Sequence, residues 1–261
     1  REVPLVRIGN PDAPKKIIFT GRMHCCETVA SRTLQGVLGY FANTVDDAFF
    51  DTYCIYAVPM MDIDGVENGD QGKNRQPHDH NRDWDTAENG GELYAVTRAL
   101  KALVADMDLE MFVDFHNPYL YNWAGNYISY GVYDEDLKNQ LELFAEILKQ
   151  TVAADPTPNK LSYDPKNKAT DATEVLAKSA AFFKRQGARL SMSIETLFTE
   201  ASPEYLPDNL TGWGENIAKS LVKYLVVSNQ SGENELLSIK VGNAEGDKGD
   251  NLIGSFDMFE N

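Results

Sequence analysis

Two histidines in this chain stand where imidazoles can do chemistry. His24 lies in "FTGRMHCCETVAS" (19–31), just past the apolar run KKIIFTG, and Glu27 follows it by three residues. His116 ends a second apolar run, LEMFVDFHN (109–117). An HxxE pair offers one nitrogen and one oxygen donor from a single turn of chain, and a distant imidazole can add a third. Two imidazoles and a carboxylate leave one tetrahedral position of a zinc ion open to water, a donor set for catalysis rather than for structure. A thiol site and an ordinary strand-to-helix corner are the rival readings of the same stretch, since Cys25 and Cys26 sit between the two donors.

Other residues extend the first reading. "PHDHNRDWD" (77–85) places Asn81 and Arg82 in a long polar loop, with Arg75 six residues before Asn81. "SMSIETLF" (191–198) brings Glu195 to the end of an apolar run, where a carboxylate is costly unless it is paired or functional. A metal site, a cluster of cationic and amide donors, and a spare carboxylate are the parts needed to hydrolyse an amide beside a free carboxylate. Asp114, two before His116, shares its strand face and can orient a ligand ring, or it is simply a strand-end carboxylate. His78 and His80 read either as substrate contacts or as polar loop residues.

The elements that must position these groups alternate. VPLVRIG and KKIIFTG read as strands joined by the NPDAP turn, and Leu34, Val37, Leu38 and Phe41 recur at helical spacing. TYCIYAVPM (52–60) reads as a buried strand, and residues 61–90 as a long polar loop of a length that is usually either functional or disordered. A helix is expected over 92–105, LEMFVDFHN as a strand, and then a helix with Leu137, Leu141, Phe144 and Leu148 on one face. A helix over 172–186, the strand RLSMSIETLF and a last helix over 213–227 complete the pattern. Alternation of this kind predicts an α/β fold: a mixed, mainly parallel twisted sheet with helices on both faces. Composition shifts after about residue 228, so 1–228 reads as one domain and 229–261 as a linker with a small β-rich tail or the start of an appendage.

The order HxxE, then "DGVENGD…NRDW", then "DFHN", then a strand-borne "SIET" resembles the zinc carboxypeptidases (funnelins, or M14 metallopeptidases), closer to the bacterial and cytosolic branch than to the digestive enzymes. The resemblance covers about residues 1–228 and implies their three-layer sandwich. It implies one zinc per chain, held by His24, Glu27 and His116. It also implies a zinc-activated water as nucleophile, Glu195 as general base, and Asn81 with Arg82 holding the substrate's terminal carboxylate. Arg75 is the candidate for polarising the scissile carbonyl, with Lys73 close by in a loop whose spacing departs from the commoner pattern. Arg82 suits its task because a planar guanidinium grips a carboxylate with two parallel hydrogen bonds. The mobile tyrosine of the digestive enzymes has no counterpart in "TDATEVLAKSAAFFK"; Tyr163 and Tyr205 are the nearest. The tyrosines and tryptophan at 119, 121, 123, 127 and 130 are candidates for lining a substrate groove.

Bulk properties narrow the partners. Forty acidic residues against 24 basic ones give a formal charge of −16 over 261 residues, which argues against nucleic acid and anionic membranes. The partner that the resemblance implies is a peptide C-terminus or a peptide-like small substrate. Polyglutamate tails suit so acidic a surface less well. No run of 18 apolar residues exists and no signal peptide is legible, so a soluble protein is expected, its compartment open. "DIDGVENGDQGKN" is not a calcium loop, because Glu67 stands where the tight turn needs glycine. Cys25 and Cys26 are expected to pack as small apolar residues. Two rival functions remain: a zinc acylase acting on N-acyl amino acids, and a carboxypeptidase-like domain that binds without catalysing.

Overall fold

The computed structural model describes residues 1–85, 93–118, 126–130, 135–157, 161, 163, 168–169, 177–197 and 207–230. Its centre is a seven-stranded sheet in the order β1-β3-β2-β4-β7-β5-β6. The strands are β1 (Val6–Ile8), β2 (Lys15–Gly21), β3 (Tyr53–Val58), β4 (Leu109–His116), β5 (Tyr127–Tyr130), β6 (Lys168–Ala169) and β7 (Leu190–Glu195). The pairings β3–β2, β2–β4, β4–β7 and β5–β6 are parallel, whereas β1–β3 and β7–β5 are antiparallel. The mixed, mainly parallel sheet expected from the alternation is therefore present.

Helices cover both faces, and the alternation of side chains along the central strands explains why. Ile17 and Phe19 of β2 with Met111, Val113 and Phe115 of β4 enter one core. That core is closed by α1 (Thr28–Asn43), α5 (Glu135–Ala154) and α7 (Pro207–Gln230). Ile18 and Phe112, on the opposite face, enter a second core with Leu100 of α4 (Ala95–Val104) and Phe183 of α6 (Ser179–Arg185). Strands buried on both faces must be apolar throughout, which is why β2 and β4 read as continuous hydrophobic runs. Leu137, Leu141, Phe144 and Leu148 all enter the first core, as their spacing on α5 requires.

Helices α1 and α7 touch backbone to backbone. A Cβ at Gly36 would lie 2.0 Å from the Thr211 carbonyl oxygen, and one at Gly214 would lie 2.0 Å from that of Thr33. Only glycine fits at either position. This contact reaches the sheet through Trp213, whose Nε1 donates to Thr196 Oγ1 at 3.0 Å, immediately after the end of β7.

Several boundaries differ from expectation. The 61–90 loop contains a helix, α3 (Ile63–Asn68), and a 3-10 turn at His80–Arg82. Asp62 caps α3 through the Gly65 amide at 2.9 Å, and Gly69 ends it in the left-handed region at φ 74°. A further short helix, α2 (Asp47–Thr52), precedes β3. Helix α6 begins at Ser179 and α4 at Ala95, later than the periodicity suggested, while α7 runs longer, to Gln230. The proposed tail beyond Gln230 lies outside the described residues, as do Tyr119, Tyr121, Trp123 and Tyr205. Among the described residues no helix is long and apolar enough to cross a membrane.

Candidate metal centre

The sheet order places the switch point between β2 and β4. From β2 the chain goes to β3 on one side, then crosses back to β4 on the other. In open α/β sheets, ligands bind outside the carboxyl ends of the strands at such a point. His24 lies just past the end of β2, His116 ends β4, and Glu195 ends β7, directly opposite His116 in the parallel register.

The turn that presents His24 and Glu27 is built by Arg22. Its backbone takes the left-handed region at φ 57°, and its guanidinium folds over the turn to the Cys25 carbonyl and, at 3.0 Å, to Ser31 Oγ. The Glu27 amide donates to the His24 carbonyl at 3.1 Å, which closes the turn. Glu27 occupies the N-cap of α1 but makes no side-chain cap there. Its carboxylate goes to the histidines instead. Oε1 lies 2.7 Å from His24 Nδ1 and Oε2 lies 2.9 Å from His116 Nδ1. The three donor atoms lie within 4.8 Å of one another, and all three residues are buried.

Each imidazole is braced from behind. His24 Nε2 meets the Asp79 carboxylate at 3.1 and 3.2 Å, and His116 Nε2 meets Asp114 Oδ2 at 2.8 Å. Asp114 also accepts from Thr20 Oγ1 at 2.8 Å and from Ser179 Oγ at 2.7 Å. A carboxylate behind each histidine fixes the tautomer that turns Nδ1 toward the shared centre. Burial disfavours a charged imidazole at both positions. The hydrogen bonds of His24 to Asp79 and Glu27, and the charges of Asp114 and Glu27 beside His116, outweigh it and leave both pKa values raised. Burial would likewise push Glu27 up, but His116 and His24 hold its carboxyl below the usual range. A divalent cation at the shared centre would supply the positive charge that the surrounding carboxylates of Glu27, Asp79 and Asp114 favour. The donor set therefore fits zinc: two nitrogens and one carboxylate, convergent and backed by acceptors.

Asp114→Asn keeps the shape of this brace but removes its charge. Zinc affinity is expected to fall by about 10- to 100-fold, read by titration against a chelator, with the fold retained by circular dichroism. A change below twofold would remove Asp114 from the role.

Glu195 is partly buried. Its Oε2 is enclosed and has no hydrogen-bond partner among the described residues. Burial raises its pKa; Glu27 adds to the rise, whereas His116 and Lys73 oppose it. Neighbouring Thr196 is held by its amide on the His116 carbonyl at 2.9 Å, and Asn117 Nδ2 donates to the Thr196 carbonyl at 3.1 Å. A carboxylate oxygen without a partner among the described residues, one strand from a candidate metal donor, makes Glu195 a functional-site candidate.

The remaining nominated residues are distributed unevenly. Asn81 is turned inward: its Oδ1 accepts from Ser179 N and Oγ at 3.3 Å, and its Nδ2 lies 3.3 Å from His116 Nε2. The Arg82 side chain is 38% exposed, with Nη1 on the Asn81 carbonyl at 3.2 Å. Arg75 is engaged by Asp70 and, at 3.1 Å, by Asp62. The cation that the structure brings to Glu27 is Lys73, with Nζ 3.3 Å from Oε1. His78 pairs with Asp83, and His80 stacks on Tyr94 with centroids 3.8 Å apart, so both histidines organise the loop. Cys25 is buried, its thiol on the Asp70 carbonyl and its pKa pushed up to about 12 by burial. Cys26 is exposed, not packed as expected.

Asp79 and Ser179 carry the site without having been nominated from sequence. Asp79 was legible in principle: a ligand histidine needs an acceptor for its second nitrogen, and Asp79 stands two residues before Asn81. Ser179 has no such signal, because it reaches Asp114 only through the fold.

Sheet, switch point and convergent donors together give a mixed α/β fold with a candidate metal centre at the carboxyl edge of its central strands. The comparisons agree: the family model described as "Zinc carboxypeptidase" matches residues 1–207, and the chain belongs to that family, the M14 metallopeptidases. It is 31% identical over 127 residues to cytosolic carboxypeptidase 6 of Caenorhabditis elegans, a match covering 44% of this chain and 28% of that protein. The human cytosolic carboxypeptidase 6 is 28% identical over 130 residues, covering 44% and 25%. The matched stretch thus spans about a quarter of these relatives' length. Among solved structures, a metallo-carboxypeptidase from Burkholderia cenocepacia superposes with a TM-score of 0.68 at 17% identity, covering 86% of this chain and 61% of that one. A metallo-carboxypeptidase from Pseudomonas aeruginosa, in complex with (2-guanidinoethylmercapto)succinic acid, gives 0.68 at 16% identity, covering 87% and 61%. These likenesses show a shared fold.

Proposed function

We propose that this chain is a zinc-dependent carboxypeptidase that hydrolyses the C-terminal amide bond of a peptide or peptide-like substrate, with one zinc held by His24, Glu27 and His116. The observation that carries this reading is the meeting of three buried donors with Glu195, which pairs with His116 across β4 and β7 and whose Oε2 has no hydrogen-bond partner among the described residues. Zinc in such a site supplies Lewis acidity and brings the pKa of water towards neutrality. The other tasks fall to side chains. Glu195, its basicity raised by burial, takes the proton of the attacking water and passes it to the leaving amine. Arg82, the more exposed of the NR pair, receives the substrate's terminal carboxylate. Asn81, bonded inward, contributes chiefly by holding the turn that carries Arg82.

Release of the last residue from peptides, followed by chromatography of the zinc-loaded protein, tests the reading. Amidating the C-terminus removes the charge that Arg82 would grip. A charged hydrogen bond contributes about 1.5–3 kcal/mol, so kcat/KM is expected to fall roughly 10- to 100-fold. Equal rates on free and amidated peptides would exclude recognition of the carboxylate. Faster turnover of N-acyl amino acids than of any peptide would favour an acylase instead.

A further inference from the structure

We propose that Lys73 is the catalytic cation of this site, receiving the carbonyl oxygen of the scissile amide as that oxygen gains negative charge, and that Arg75 is the pin that holds Lys73 in place. The inference rests on the hydrolytic reading above and assigns the electrophilic task to a residue other than the arginine nominated from sequence.

The loop is constructed to deliver Lys73. Gly72, at φ 101°, lies against the metal-donor turn: a Cβ there would come within 2.7 Å of Cys25 N and 2.8 Å of His24 Cα. No other residue permits that approach, in space or in backbone angle. The Cys26 amide donates to the Gln71 carbonyl at 3.4 Å, which docks the preceding residue on the same turn. Lys73 follows directly, its amide on Gln71 Oε1 at 2.8 Å. The chain then turns back, with the Arg75 amide on the Gly72 carbonyl at 3.1 Å. The Arg75 guanidinium closes the turn on Asp70 and Asp62, both on the loop itself. Asp62 is also the cap of α3, so the pin is anchored to a helix. Arg75 is held by two carboxylates of its own loop, and Lys73 reaches Glu27, with its charge felt by Glu195.

A cation on Glu27, with its charge felt at Glu195, is placed to serve amide hydrolysis directly. The water oxygen bonds to the carbonyl carbon, the π electron pair moves onto the carbonyl oxygen, and a water proton goes to Glu195. On collapse the C–N bond breaks and the proton leaves with the amine. The charge developing on oxygen needs a donor preorganised to meet it, and removing one such donor costs on the order of 10²–10³ in kcat. An ammonium is a point charge on a flexible stem and can follow the oxygen without bidentate geometry.

The test compares wild type, Lys73→Met and Lys73→Arg after zinc loading. Three readouts are zinc per chain, kcat and KM on a free-C-terminus peptide, and calorimetric affinity for a phosphonate analogue of that peptide, which mimics the tetrahedral adduct. Expected for K73M are unchanged zinc, KM within a few fold, and kcat down by about 10²–10³. Phosphonate affinity should fall in parallel, and K73R should recover part of both. Lys73 is 35% exposed, so its replacement leaves the core intact. Loss of zinc in K73M would make Lys73 a support of the metal turn and overturn the proposal. So would a phosphonate that binds wild type and K73M alike, or binds neither. An inactive wild type that still binds the phosphonate through Lys73 would count against peptide hydrolysis alone.

Discussion

His116→Ala is expected to emerge from dialysis without zinc and without activity, where the wild type retains about one zinc per chain. His116 is one of three donors within 4.8 Å of one another, and it faces Glu27 and Asp114 together. Losing a donor removes a share of a binding free energy that reaches roughly 10–16 kcal/mol in well-formed protein zinc sites. A loss of even a quarter of that lowers affinity by at least on the order of 100-fold. The substitution also leaves two buried carboxylates without their shared partner, so the thermal midpoint of the metal-free protein should fall as well. Elemental analysis and a melting curve separate the two effects. Zinc retained in a folded His116→Ala protein would place the metal elsewhere.

Glu195→Gln should give the opposite pattern, a protein that keeps its zinc and its fold while losing turnover. The change is nearly isosteric, and Oε2 has no hydrogen bond to lose among the described residues. Removing a charge that burial already disfavours should leave the melting temperature equal or slightly higher. Without a proton acceptor at that position, kcat is expected to fall by about 10²–10⁴, with KM changed only a few fold. Steady-state kinetics on a peptide with a free C-terminus decides it. A kcat within tenfold of wild type would assign the proton transfers to another group.

The two predictions differ because the two residues are assigned different tasks, and the sheet explains how both reach one point. His116 and Glu195 are register partners at the ends of adjacent parallel strands, and His24 arrives from the strand on the other side of β4. Parallel strands end on the same edge, so three chain segments far apart in sequence bring residues at or just past their ends to one place. The metallopeptidase family to which the chain belongs matches the same span, residues 1–207.

Much of this was legible in the residues alone. Doubly buried strands must be apolar throughout, so β2, β3, β4 and β7 could be read as runs, and a polar or ionisable residue closing such a run marks its functional end. That logic exposes His24, His116 and Glu195. Helical spacing exposes α1 and α5 for the same reason, that burial imposes a period. The loop between β3 and α4 was legible only as a loop. Its fold depends on contacts with no periodic trace: Gly72 against His24, Arg75 on Asp62 and Asp70, and His80 stacked on Tyr94. Sequence nearness therefore does not separate Arg75 from Lys73. Two cations two residues apart look interchangeable until the turn at Gly72 sends one to Glu27 and the other back onto its own loop. By itself the sequence determined which residue types are present to bind a metal and move a proton, because their chemistry is intrinsic. Only the tertiary structure decided which carboxylate braces which ring and which cation reaches Glu27, because those are relations between segments that burial of the two cores brings together.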